Sequence, residues 1–114
     1  MLPDTPMYLH HVRQACELLE DFTRGKSFAD YQADVLLRAG VEREFIIIGE
    51  ALTQAKDPIL DQAITELRQI IAFRNILVHG YAVVQHRTVW DAIHDDLPLL
   101  KKQVEDLLAQ AGPP

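Results

Sequence analysis

The chain has 114 residues, enough for one domain to bury a core without help from a metal or a disulfide. Its 48% hydrophobic and 25% charged residues read as an ordinary globular protein, and no apolar run reaches membrane-spanning length. The formal charge of −6, with 17 acidic against 11 basic side chains, excludes a general nucleic-acid coat and leaves room for a small local cationic site.

The first segment opens at Thr5-Pro6, which predicts an N-cap followed by a first-turn proline. Tyr8, Val12, Ala15, Leu19 and Phe22 then recur at alternating four- and three-residue spacing, one face of a helix that Gly25 ends. The single cysteine, Cys16, lies beside that stripe and is expected as a packed thiol. With no second cysteine it suits a reducing cytoplasm, and MLPDTPMYLHH lacks the charged-then-apolar layout of a signal peptide. Ser27 and Asp30 resemble a capping pair that opens a short second helix in SFADYQAD.

From about Asp34 to Ala55, Leu37, Val41, Phe45, Ile48, Leu52 and Ala55 form one stripe, with Ile46 and Ile47 on its flanks. A helix so apolar on several sides needs more than one neighbour. Gly49 predicts close approach of another backbone, and Gly40 a kink or break. Asp57-Pro58 restarts the chain, and Leu60, Ile64, Leu67, Ile71 and Val78 carry one helix to Gly80. After a QHR loop, Thr88 with Asp91 is placed as the cap of a last helical region. That region is striped by Ile93, Leu97, Leu100, Val104 and Leu107 and divided before Pro98. AGPP, residues 111–114, is expected to fray. Without strand alternation or repeats, the expectation is all-α: one domain, 1–114, built as an up-and-down bundle of four or five helices.

The most apolar stretch, IIAFRNILVHGY, is broken by Arg74, Asn75, His79 and Tyr81. Stepping from Leu67 through Ile71 puts Arg74 on the buried stripe, where a guanidinium needs an acidic partner, a subunit boundary or a phosphate. Glu50, in GEAL of the preceding helix, can supply the first of these as a core ion pair. His79 follows Arg74 at about 140° around the helix and about 7.5 Å along it, too far to stack but close enough to converge on one bound group. It can give or take a proton near neutral pH, or simply cap the helix. Asn75 can orient an imidazole or a phosphate oxygen, and Tyr81 places a phenol at the same corner.

RNILVHGY resembles the Arg-Asn, three apolar residues, His-Gly-Tyr signature of HEPN domains of the HepT ribonuclease type. MYLHHVRQACELLEDFTRGKSFADY, REFIIIGEAL and VWDAIHDDLPLLKKQVEDLL are similar to that family's opening, central and closing regions, so the resemblance covers nearly the whole chain. Leu67 stands where the family often has tryptophan and Ala72 where it has glycine, and the loop before Pro58 is short; the polar motif is intact.

The resemblance implies a metal-independent endoribonuclease toxin of a type VII (HEPN/MNT) toxin–antitoxin system, cutting RNA rather than DNA and using no cofactor. It implies a homodimer whose two motifs face each other in one composite cleft. There His79 would act as general base or acid, Arg74 would hold the scissile phosphate, and Asn75 and Tyr81 would complete the pocket. The implied partner is a minimal nucleotidyltransferase antitoxin, which would assemble with the toxin in a larger hetero-oligomer and transfer AMP onto the motif tyrosine, here Tyr81. A catalytically silent dimeric module that binds the nucleotidyltransferase is the alternative.

Other signals are weaker. His10, His11, His86 and His94 form no i, i+4 pair and join no carboxylate cluster, so no metal site is expected. Lys101-Lys102 reads as a solvated patch, and Trp90 as a core or interface residue.

Overall fold

The computed structural model describes residues 1–112. Its regular structure is wholly helical: α1 (Thr5–Thr23), α2 (Phe28–Ala33), α3 (Val35–Ala55), α4 (Ile59–Ala63), α5 (Leu67–His79), α6 (His86–Asp95) and α7 (Leu97–Ala111), with a 3-10 turn at Tyr81–Val83. Among the described residues there is no strand. The pieces outnumber the four or five expected because two predicted helices are each divided. No described helix is long and apolar enough to cross a membrane.

Helix α1 begins at Thr5 with Asp4 at its N-cap position, and Pro6 sits in the first turn. Thr5 is therefore inside the helix, and its hydroxyl has a different task from capping. It donates to Asp57 Oδ2 at 2.7 Å, and the Leu2 N–H donates to the same oxygen at 2.7 Å. The Ile59 N–H reaches the other carboxylate oxygen at 3.1 Å. Asp57 thus clips the N-terminus to the α3–α4 loop. These donors, the Leu2 N–H first, hold its carboxyl below the ordinary aspartate value against the opposing push of burial.

The buried face of α1 comprises Leu9, Val12, Ala15, Cys16 and Leu19; Tyr8 is half-buried and Phe22 is exposed, so the expected stripe is rotated slightly. The Phe22 ring instead lies over Gly40: a Cβ there would meet it at 3.5 Å. Helix α3 runs through Gly40 unbroken. Cys16 is shut inside the core, and burial pushes its thiol up to about 12.

The short second helix opens with a complete capping box: Asp30 N–H donates to Ser27 Oγ at 3.1 Å, and Ser27 N–H to Asp30 Oδ2 at 2.9 Å. Asp34 then caps α3 through the Leu37 N–H at 3.0 Å. Helix α3 is the central element, packed against both α1 and α5, while α1 also meets α7 and α2 meets α6. Its apolar flanks therefore find the several neighbours they require.

The chain between Asp57 and Gly80 is two helices rather than one. Ile64 is extended (φ −104°, ψ 103°) with its side chain buried, and α5 starts only at Leu67. Gln103 on α7 occupies the break, accepting from the Thr65 N–H at 3.1 Å and donating to the Thr65 hydroxyl at 2.6 Å. The lost helical bonds are replaced by a side chain far along the sequence.

Thr88 does not cap the last region; α6 starts at His86 after Gln85, placing Thr88 in its first turn. The division before Pro98 is present, with Pro98 in the first turn of α7. Ala111 is still helical and Gly112 ends α7 with φ 80°, while the rest of the expected frayed tail, residues 113–114, lies outside the described residues. Trp90 is buried beside Tyr31, ring centroids 5.3 Å apart.

Candidate functional site

Helix α5 carries the polar motif, and its seat on α3 determines where the motif points. Phe73 meets Phe45 edge-on at 5.2 Å between centroids, and Leu67 and Leu77 are the buried members of the helix. Ile70, Ile71 and Phe73 are half-buried, whereas Ile76 and Val78 are exposed. Val78 therefore leaves the predicted stripe, and Leu77 takes the inward position.

Arg74 crosses α3 at Gly49. A Cβ on Gly49 would lie 2.3 Å from the Arg74 Cβ and 2.6 Å from its Cγ, so only glycine admits the arginine stem at this crossing. The expected close approach is thus made by a side chain. Beyond the crossing, Arg74 Nη2 donates to Glu50 Oε1 at 3.3 Å, and Nη1 donates to Asn75 Oδ1 at 3.0 Å. The side chains of Arg74 and Glu50 are 27% and 35% exposed, so this pair is at the surface boundary and not a sealed core ion pair. Arg74 Nε is buried with no partner.

His79 forms the last turn of α5. The Gly80 N–H closes that turn on the Ile76 carbonyl at 2.8 Å, and the Val83 N–H donates to the Gly80 carbonyl at 2.9 Å, giving the 3-10 turn that carries Tyr81. His79 is exposed and Tyr81 is 78% exposed. The structure thus joins Arg74, Asn75 and Glu50 by hydrogen bonds and sets His79 and Tyr81 outward, near the same helix end but not bonded to Arg74. The Asn75 carbonyl oxygen is spent on Arg74, an engagement that residue type alone did not signal. The role of Gly49 as a spacer for one particular arginine was likewise hidden, although its cost within a helix marked it as purposeful.

An apolar cavity of about 190 Å³ borders α5, lined by Phe45, Ile48, Ile70, Phe73, Ala92 and Leu97 among others. None of the four motif groups lines it, so it is separate from the candidate site. Among the described residues, no three His, Cys, Asp or Glu side chains are grouped to hold a metal ion.

The model of the family described as "Ribonuclease HepT-like" matches residues 12–107. The chain belongs to the HepT-like ribonuclease family. Membership makes endoribonuclease its activity class. Among relatives, this HepT-like chain is 33% identical over 102 residues to a protein named "Putative RNase" from Caldanaerobacter subterraneus subsp. tengcongensis, covering 89% of this chain and 91% of that one. It is also 33% identical over 102 residues to "Probable ribonuclease HepT" of Thermococcus cleftensis, covering 88% and 92%. No solved structure matches it.

Proposed function

We propose that this HepT-like chain is a metal-independent endoribonuclease toxin in which Arg74 and His79 carry the chemistry and Asn75 and Tyr81 support it. The observation that carries the reading is that these polar groups reach solvent along the C-terminal half of α5 and the turn that follows it. Arg74 is partly exposed there, and His79 and Tyr81 are open. RNA supplies its own nucleophile. His79 takes the proton from a ribose 2′-hydroxyl as its oxygen attacks the adjacent phosphorus, and the 5′-oxygen leaves with a proton returned from an imidazolium. Arg74 offsets the charge that builds on the phosphate oxygens.

A homodimer completes the proposal. The exposed Ile76, Val78 and Val83 would pack against a second copy, doubling the arginines and histidines in one cleft despite the net charge of −6. Control would come from a minimal nucleotidyltransferase that transfers AMP from ATP to the Tyr81 oxygen with release of pyrophosphate. The exposed phenol is accessible to such a partner, and the added bulk and charge would block the neighbouring groups.

The test is to express the chain beside His79→Ala, scoring growth arrest and cleavage of cellular RNA, with EDTA added to the cleavage assay. Cleavage that survives EDTA and disappears in His79→Ala is expected. Two equally inert proteins that both dimerise would sink the ribonuclease reading. That outcome belongs to the second reading, a silent dimeric module binding the nucleotidyltransferase, which the −6 charge favours.

A further inference from the structure

The contact between Glu50 and Arg74 is poorly suited to be a purely structural ion pair. A carboxylate paired with arginine to hold a fold usually takes two parallel bonds at about 2.7–2.9 Å. Here one oxygen is used, at 3.3 Å, between side chains that are 27% and 35% exposed. Such a pair contributes little to stability, because solvent screens it. Asn75 occupies Nη1, and Nε, the atom a bidentate partner would share with an Nη, is left bare. Meanwhile the stem of Arg74 is confined at the Gly49 crossing, so the guanidinium cannot wander far from Glu50. The arrangement has a fixed stem and an exchangeable head.

Resting on the ribonuclease reading above, we propose that Glu50 is a positioning residue that holds the Arg74 guanidinium in the free protein and competes with the substrate phosphate for it. In the free state the carboxylate keeps the head oriented at the surface. A phosphodiester, with more than one oxygen to offer, displaces it and uses the Nε edge as the head turns outward. The displaced carboxylate then lies beside the bound phosphate as a like charge, and this weakens substrate binding. Glu50 therefore trades affinity for an arginine already aimed in the empty site.

Binding of a 2′-O-methyl oligoribonucleotide, which cannot form the attacking 2′-oxyanion, tests this without turnover. Glu50→Gln keeps the acceptor oxygen and removes the charge, so affinity should rise by up to roughly fivefold, the scale of a part-exposed charge pair. The same substitution made on an Arg74→Ala background should change nothing, because Glu50 acts through Arg74. In cleavage assays Glu50→Gln should lower KM while changing kcat by less than about twofold. Glu50→Ala removes the holding contact along with the competing charge, so its gain in affinity should be smaller than that of Glu50→Gln. Unchanged or weakened binding in Glu50→Gln overturns the inference. So does an equal gain without Arg74, or binding that is independent of Arg74 throughout. If wild type and His79→Ala cleave alike, the ribonuclease reading falls, and the binding comparison still decides the role of Glu50.

Discussion

Along α1, Leu9, Val12, Cys16 and Leu19 are completely closed to solvent, whereas along α5 only Leu67 and Leu77 are buried and Ile76 and Val78 face outward. Both helices pack on α3, and both read in the sequence as amphipathic stripes. The difference is that α1 has α7 on its other side, tied by the Lys101–Glu20 bridge at 2.7 Å, while α5 is bordered by an apolar cavity. One helix spends its apolar surface within the chain. The other keeps part of it unspent next to its polar groups, and that is the surface the dimer proposal uses. On the proposed reading, the closed packing belongs to α1 and the candidate chemistry to α5, with α3 between as the shared support.

Substitutions that separate these two roles should differ sharply. The largest effect is expected at His79→Ala, a fall in RNA cleavage of roughly 10²–10⁴-fold with the urea midpoint unmoved, since the side chain is exposed. An equal fall in the midpoint would show that α5 contributes to stability as α1 does. Leu9→Ala in α1 should do the reverse, costing about 2–5 kcal/mol in denaturant unfolding. Next comes Gly49→Ala, whose Cβ must displace Arg74. Overpacking of this kind costs about 1–3 kcal/mol, partly offset by better helix propensity, and cleavage should fall with it. If activity and stability are both untouched, the crossing is looser than the 2.3 Å approach implies. Ile76→Asp should move chain stability by less than about 0.5 kcal/mol yet shift the molecule toward monomer in analytical ultracentrifugation.

The smallest effect concerns acid. The Asp57 carboxyl titrates lower in the folded chain than in the unfolded one. Its contribution is thus fully present above about pH 4, the unfolded value, and is lost as pH falls through the folded value. Asp57→Asn should lower the melting temperature by a few degrees at neutral pH and flatten the loss of stability below pH 4. A melting temperature that depends on acid in the same way for both proteins would mean the clip does not hold.

Much of this architecture was readable before the structure because it rests on local chemistry. The Ser27–Asp30 capping box and the stop at Gly25 with its φ of 74° each follow from neighbouring residues. The break at Ile64 was not legible. It contains neither glycine nor proline, the stripe continues across it, and Thr65 within it is bonded by Gln103 on α7. Thr88 misled for a related reason, since a threonine three residues before an aspartate is a cap only if the chain before it is extended. At the candidate site, the residue types and their spacing were visible, and so was the chance of a Glu50 partner. What could not be read was the exposure of Val78, which depends on how α5 rolls on α3, and the engagement of Asn75 with its own neighbour.

Cys16 gives the core a built-in clock. It is the chain's one thiol, completely buried, and burial pushes it up to about 12, so it is doubly shielded from alkylation at neutral pH. A thiol reagent can reach it only when α1 parts from its neighbours. The rate of single-site labelling therefore times the opening of the packing around α1, and any slowing caused by a partner bound at α5 would measure how firmly that packing is coupled to the candidate site.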